Sequence, residues 1–228
     1  MKNMQSLSVL ALLLLVGCSG GVAGDATPGS AHQMTGDPHP VATTMVYDCA
    51  GYQFVTRQGP GEVALWLPDR YLVLSQVPAA SGTKYQEGDV EFWSKGDEAM
   101  LDVAGQPFRG CQSMPHLVPW EDARRRGVDF RAVGNEPGWY LEFQQGRQLL
   151  LVADYGKTRV MAADPVEHVQ GATRVYLADA PAGPLRVEVV DEPCHDTMSG
   201  EAFAAQVTVS YDQHSWYGCG RPLDYPWQ

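Results

Sequence analysis

The chain has 228 residues, and 27 acidic against 16 basic side chains give it a net charge of −11 at pH 7. This charge argues against binding to nucleic acid or to an anionic membrane surface, and it suits a cationic protein partner. Charged residues are only 19% of the chain, while 24 glycines, 16 prolines and 10% aromatic residues favour strands and turns over long helices.

The N-terminus is typical of an exported bacterial protein. Lys2 precedes an apolar run at 9–16 that is too short to span a bilayer, as in a signal peptide. The run ends in Leu-Val-Gly-Cys at 15–18, which resembles the lipobox of bacterial lipoproteins. This resemblance implies cleavage after residue 17 and acylation of Cys18, for example with palmitate, where several acyl chains give stable anchoring. The alternative is an ordinary signal peptide with an incidental cysteine.

The segment 18–44 is predicted to be a tether. After Cys18 it is rich in Gly, Ala, Pro, Thr, Asp and His and has no aromatic residue, so it cannot bury enough apolar surface to fold. Ser19, rather than aspartate, follows the cysteine, which in lipoproteins implies sorting to the outer membrane. We therefore expect a lipid-anchored protein of the outer membrane that faces the periplasm.

The four remaining cysteines frame two blocks of strand-like sequence. We expect the pairs Cys49–Cys111 and Cys194–Cys219 to form disulfides in an oxidising compartment. In the first block, 45–112, the glycine and proline turn signals at 59–61, 68–69 and 95–97 punctuate strand-like runs. Their spacing predicts an antiparallel barrel or sandwich. The runs are 45–49, 52–56, 63–67, 70–74, 90–93 and 99–103.

The first block resembles the membrane-bound inhibitors of C-type lysozyme, a family of small eight-stranded β-barrels. The motifs that carry the resemblance are Tyr-Asp-Cys at 47–49, Ala-Ser-Gly-Thr-Lys-Tyr at 80–85 and Phe-Trp-Ser-Lys-Gly at 92–96, followed by Ala99, Leu101 and Cys111. In that family a serine loop enters the lysozyme cleft and a lysine meets the catalytic aspartate. The resemblance assigns these roles to Ser81 and Lys95.

The chemistry of these side chains fits the assignment. A hydroxyl both donates and accepts, so Ser81 can bind a protonated or an ionised carboxyl group, and the Lys95 ammonium pairs with an ionised one. Gly82 allows a tight turn, and Thr83 and Tyr85 complete the predicted lysozyme-binding residues, although Tyr85 could equally pack against the barrel. Six acidic residues are expected to form a collar around the lysine that steers a cationic lysozyme: Glu87, Asp89, Glu91, Asp97, Glu98 and Asp102. On pattern alone, Ser81 and Lys95 could be ordinary turn residues.

A second motif overlaps the serine loop. Ser81 to Lys84 fits Ser-x-x-Lys, the nucleophile signature of penicillin-binding proteins and β-lactamases. That chemistry requires the serine at a helix start, whereas Pro78 here precedes a glycine-rich loop, and no Ser-Asp-Asn element occurs. We therefore expect no enzymatic activity.

A linker at 113–127 is predicted to join the barrel to a second all-β domain at 128–228. Within the linker, 121–126 could form a short helix or turn. The arginine run at 124–126 might suggest a phosphate-binding patch, but a solvated helix face is the favoured interpretation. Strand-like runs resume at 130–133, 139–143, 149–153, 158–162, 174–177, 185–190 and 206–210.

The second domain resembles an uncharacterised bacterial envelope domain that often accompanies lysozyme-inhibitor domains. The resemblance lies in 130–139, in 194–200 and in Gly-Cys at 218–219, and it implies no activity. Cys194, His195 and Asp196 look reactive, but neighbouring strand residues point to opposite faces, and a disulfide removes the thiol. Asn135, Glu136 and Trp139 could line a glycan groove, although a turn beside a core tryptophan is the preferred interpretation.

The sequence thus predicts an all-β lipoprotein that inhibits C-type lysozyme and protects peptidoglycan from host defence. No cofactor is implied, and the histidines lack the spacing of metal ligands. The alternative is a non-inhibitory module that binds peptidoglycan or a surface protein.

Overall fold

The computed structural model describes residues 42–144 and 147–223, which fall in one compact unit. The signal peptide, Cys18 and most of the tether lie outside the described residues. Within them the chain is all-β apart from one short helix and two 3-10 turns, as the composition predicts. No helix in the described part is long and apolar enough to cross a membrane.

The first eight strands form a closed barrel in which each strand is antiparallel to the next. The barrel closes where the first strand pairs with the eighth, with Tyr47 opposite Ser113 and Asp48 opposite Gln112. This confirms the predicted eight-stranded barrel. The strands are β1 (Thr43–Cys49), β2 (Tyr52–Gly59), β3 (Glu62–Trp66), β4 (Tyr71–Val77), β5 (Thr83–Glu87), β6 (Val90–Lys95), β7 (Glu98–Val103) and β8 (Gln106–Ser113).

Alternating apolar residues build the barrel core. Phe54, Leu65, Phe92 and Leu101 are all at most 2% exposed, and aromatic rings pack across the interior, with Phe54 and Phe92 edge to face at 5.9 Å. The predicted Cys49–Cys111 disulfide is present and joins β1 to β8. Because it closes a long loop of chain, it stabilises the barrel by roughly 4 kcal/mol in the chain-entropy model.

A second sheet of nine antiparallel strands follows, with a two-stranded sheet beside it. The strands are β9 (Phe130–Asn135), β10 (Gly138–Gln144), β11 (Gln148–Ala153), β12 (Thr158–Ala163), β13 (Val166–Gln170), β14 (Thr173–Ala180), β15 (Gly183–Val190), β16 (Cys194–His195), β17 (Ala202–Phe203), β18 (Ala205–Tyr211) and β19 (His214–Pro222). The order in the large sheet is β12-β11-β10-β9-β19-β18-β15-β14-β13, and β16 pairs with β17 in the small one. The large sheet curls, since β12 lies alongside β14, and the predicted Cys194–Cys219 disulfide is present.

The predicted linker contains the helix α1 (Val118–Arg125), preceded by a 3-10 turn at Pro115–Leu117. Trp120 and Ala123 are buried on this helix, in a cluster with Phe203 and the second disulfide. Arg221 lies 4.4 Å from the Trp120 ring centroid, a cation–π contact that ties the helix to β19. The segment is therefore packed onto the second sheet. A further 3-10 turn spans Asp154–Gly156.

Candidate functional site

One end of the barrel gathers the predicted lysozyme-binding residues. In an antiparallel meander alternate connections lie at the same end, so the β4–β5 loop at 78–82 and the β6–β7 turn at 96–97 are neighbours. They border a shallow cavity of about 340 Å³. Its lining includes Gly82, Thr83 and Lys95 from the predicted set, together with Thr43, Met45, Tyr47, Gln58, Ser94 and Gly96.

The Ser81 loop is held in place by contacts with β6. The indole Nε1 of Trp93 donates a hydrogen bond of 2.8 Å to the carbonyl oxygen of Ser81. Gly82 has a φ of +67°, and a Cβ at this position would lie 2.5 Å from the carbonyl oxygen of Ser94. Only glycine therefore fits this turn, and Ser81 itself remains exposed just before the cavity-lining residues.

The base of the cavity contains residues to which the sequence motifs assign no role in the site. Tyr47 is 1% exposed, and like Gln58 and Ser94 it lines the cavity. Burial raises the pKa of Tyr47 above its ordinary value, because the ionised phenolate would lose its hydration inside the barrel. Tyr47 and Ser94 both lie in the matched motifs, but only their spatial position reveals that they support the two loops.

Lys95 is exposed at the tip of the β6–β7 hairpin, where it faces Glu98 in the strand register. Among residues 42–144 and 147–223, no carboxylate lies within 4.0 Å of its ammonium group. Lys84, by contrast, is bound to Glu91 at 2.7 Å. Lys95 is thus available to an external carboxylate, while Lys84 is engaged within the barrel wall.

The predicted acidic collar is wrong in its extent. Asp97 and Glu98 adjoin Lys95, but the strands β5, β6 and β7 carry the other acidic residues away from it. Glu87 and Asp89 lie at the β5–β6 turn at the opposite end, and Asp102 accepts a hydrogen bond of 2.9 Å from the Gly105 amide there. Four of the six acidic residues are therefore separated from Lys95 by up to the length of a strand.

Tyr85 is buried, so its prediction as a lysozyme-binding residue is wrong. Its side chain is 3% exposed and lies inside the barrel, with its ring centroid 6.0 Å from that of Phe92. Strand alternation explains this, because Thr83 and Tyr85 share the inward face while Lys84 points outward. Tyr85 supports the loop from within the core and offers no surface to a partner.

The structure does not support the Ser-x-x-Lys interpretation. Ser81 lies in a loop before a strand, and Lys84 is a strand residue paired with Glu91. The helix that would place a serine nucleophile is replaced by β5.

After the barrel, the polar groups of the residues singled out in the sequence are hydrogen-bonded within the chain. Asp196 accepts hydrogen bonds from the backbone amides of Ser199 and Met198, and the Ser199 amide is the main cause of its lowered pKa. Asn135 donates to the same carboxylate at 2.6 Å. Trp139 is 5% exposed and donates to the Tyr217 carbonyl at 3.2 Å, so it is a core residue. In the described residues no group of three or more His, Cys, Asp or Glu is placed to hold a metal ion.

Comparisons with known proteins concern the barrel alone. Residues 47–107 match the sequence model of the family described as membrane-bound lysozyme-inhibitor of c-type lysozyme. The barrel segment therefore matches a lysozyme-inhibitor family. The matched range contains Ser81, Gly82 and Lys95 and ends at the start of β8.

A curated relative carries the same description. The membrane-bound lysozyme inhibitor of C-type lysozyme from Yersinia enterocolitica (serotype O:8 / biotype 1B) is 38% identical over 65 residues. This alignment covers 28% of the present chain and 56% of the relative, so the chain spans about half the length of the curated relative it matches. No solved structure matches the chain.

Proposed function

We propose that the barrel inhibits C-type lysozyme by presenting the Ser81 loop and Lys95 to the active-site cleft of the enzyme. The observation that carries the proposal is the convergence of the β4–β5 loop and the β6–β7 turn on one end of the barrel, where the Lys95 ammonium has no carboxylate partner among the described residues. The family match over residues 47–107 and the description of the Yersinia relative support it.

The two side chains complement the chemistry of such a cleft. Lysozyme works with one protonated and one ionised carboxyl group on either side of the scissile bond. The exposed Ser81 hydroxyl can donate to the ionised group or accept from the protonated one. Lys95 can pair with the ionised group, and because a filled cleft excludes water this charge-assisted contact is strong.

The rigidity of the barrel contributes to the proposed inhibition. The Ser81 loop is fixed by the Trp93 hydrogen bond and by the close approach of Gly82 to β6, so little conformational freedom is lost on binding. The barrel acts as an inhibitor and performs no chemistry itself.

The same proposal places the protein on the outer membrane. Cys18 would carry the acyl chains, and residues 18–44 would tether the barrel in the periplasm, where it would intercept lysozyme before it reaches peptidoglycan. Labelling with a radioactive fatty acid, compared between the parent chain and Cys18→Ser, tests this part separately; equal labelling of both would contradict it.

The inhibition itself is tested with the purified, oxidised chain and a C-type lysozyme acting on a suspension of cell walls. We expect stoichiometric inhibition that a cleft-filling chito-oligosaccharide relieves in proportion to its concentration. Absence of inhibition by the folded chain would refute the proposal. Inhibition that the oligosaccharide leaves unchanged would show binding elsewhere on the enzyme.

A further inference from the structure

A second and larger cavity lies away from the proposed inhibitory end. It is a cleft of about 840 Å³ between the outer face of β1–β3 and the helix α1, with Arg221 of β19 and the β16–β17 loop at its rim. It shares no lining residue with the cavity beside Lys95. Its size is that of a small-molecule or peptide site, and it lies between the barrel and the part of the chain that follows it.

The three arginines at 124–126 differ in their partners. Arg124 binds both carboxylate oxygens of Glu121, at 2.6 and 2.7 Å, and Arg126 binds Glu142 at 2.6 Å. Arg221, across the cleft, binds Glu201 at 2.8 Å. Three of the four arginines at or beside the cleft are therefore neutralised by carboxylates of the chain.

Arg125 is different. In the described part of the chain no carboxylate lies within 4.0 Å of its guanidinium, which instead lies 4.8 Å from the ring centroid of Trp66. A cleft-lining guanidinium without an ionic partner, in a chain of net charge −11, indicates a ligand that brings its own negative charge.

Eight of the other thirteen lining residues are apolar, and Gln53, His116, Ser199 and the two engaged glutamates are the polar ones. Val55 and Pro68 on the barrel face Met114 and Leu117 on the helical side, next to Arg125. Arg125 covers one face of Trp66, so that ring is a poor platform for a sugar. An apolar wall beside one guanidinium suits a carboxylate that is attached to an apolar body.

We propose that this cleft binds a short peptide by its free C-terminal carboxylate and an adjacent apolar side chain. Arg125 holds the carboxylate through its two parallel N–H donors, and the apolar wall receives the side chain. Glu121 and Glu201, at the rim, accept hydrogen bonds from the peptide N–H groups. A fatty acid offers no such donors, and a compact phosphate would require more than one unneutralised arginine.

Isothermal titration of the full chain with four probes tests the proposal. The probes are N-acetyl-Ala-Ala-Leu with a free carboxylate, the same peptide as its C-terminal amide, octanoate and inorganic phosphate. We expect saturable binding of the free acid, at least tenfold weaker binding of the amide, and weaker binding of the other two. Failure of the free acid to bind, equal binding of acid and amide, or tighter binding of octanoate or phosphate would each overturn the proposal.

Two variants locate the site. Arg125→Gln should weaken binding of the free acid at least tenfold, while Arg109→Gln, which removes an exposed arginine from β8, should leave it unchanged. Retained binding in Arg125→Gln would refute the assignment. Near-UV circular dichroism verifies that the variants fold. If they do not, the comparison of the free acid with the amide on the parent chain still tests whether a free C-terminal carboxylate is recognised. Lysozyme inhibition by Arg125→Gln should equal that of the parent, because the two cavities are separate.

Discussion

At the scale of single residues, Gly82 sets the shape of the proposed inhibitory loop. Replacing it by alanine combines the cost of a left-handed backbone, about 1–2 kcal/mol, with a clash against the Ser94 carbonyl. We expect Gly82→Ala to displace Ser81 and to weaken inhibition of C-type lysozyme at least tenfold, measured as the inhibition constant in a cell-wall lysis assay.

Gly105→Ala is the matched control for this change. Gly105 also has a positive φ, +80°, but a Cβ there would meet nothing within 4 Å, and the residue lies at the opposite end of the barrel. It should lose a similar backbone contribution to the free energy of unfolding and retain full inhibition. Equal loss of inhibition in both variants would indicate that general destabilisation, and not loop position, is responsible.

The residues that the sequence located correctly are those with local signals. The motif around Gly82 and the hairpin turn after Lys95 place both groups in connections, and the barrel closure then brings them together. The assignment of Tyr85 to the lysozyme-binding residues and the extent of the acidic collar were wrong, and the packing of Tyr85 against the barrel, left open by the sequence, is observed. Burial and distance depend on the strand register, which turns alternate residues inward and separates Glu87 from Lys95.

At the scale of elements, strands with regular apolar alternation were predictable, whereas most of those that were missed lack it. β2 and β3 alternate and were found, whereas β5 buries only Tyr85 and β8 only Cys111. All five residues of β13 are exposed. In β19, Gly218 and Gly220 leave room for the rings of Trp139 and Phe130, so glycines stand where a strand pattern would have apolar side chains. Such strands form because the backbone N–H and C=O groups of the adjacent strand need hydrogen-bond partners.

The exposed edge strand β13 is attached to β14 by a tyrosine that predicts a specific pH dependence. Tyr176 is 3% exposed and donates to Glu167 at 2.7 Å; burial first, and then this carboxylate, raise its pKa to about 12. In the unfolded chain tyrosine ionises near pH 10. Between these values the folded state binds more protons than the unfolded state, so stability falls as pH rises.

Tyr176→Phe should therefore reduce the free energy of unfolding by about 1 kcal/mol at pH 8, where a hydrogen bond is lost, and flatten its decline between pH 10 and 12. Urea unfolding at pH 8, 10 and 11 measures both effects. Tyr217→Phe removes a 72% exposed phenol on β19 and controls for loss of a hydroxyl. A decline as steep in Tyr176→Phe as in the parent would contradict the explanation.

At the scale of the whole molecule, the barrel and the second sheet each contain one disulfide, and the packed helix α1 lies between them in the chain. Composition and cysteine pairing predicted both units and both disulfides, and the eight strands of the barrel came from the family resemblance. The packing of α1 and the cleft beside it were not predictable, because they depend on how Trp120 and Arg125 meet surfaces that are distant in sequence.

The central claim is that one end of the barrel binds lysozyme through Ser81 and Lys95. Its most direct test is the dissociation constant for a C-type lysozyme of the full chain carrying Ser81→Ala and Lys95→Ala together. Exposed Ser75→Ala with exposed Lys157→Ala serves as the matched double control. Losing a hydroxyl contact and a charge-assisted contact should cost about 2–4 kcal/mol, roughly a thirtyfold to thousandfold weaker complex, while the control binds as the parent does. An unchanged dissociation constant in the Ser81/Lys95 variant would contradict the account.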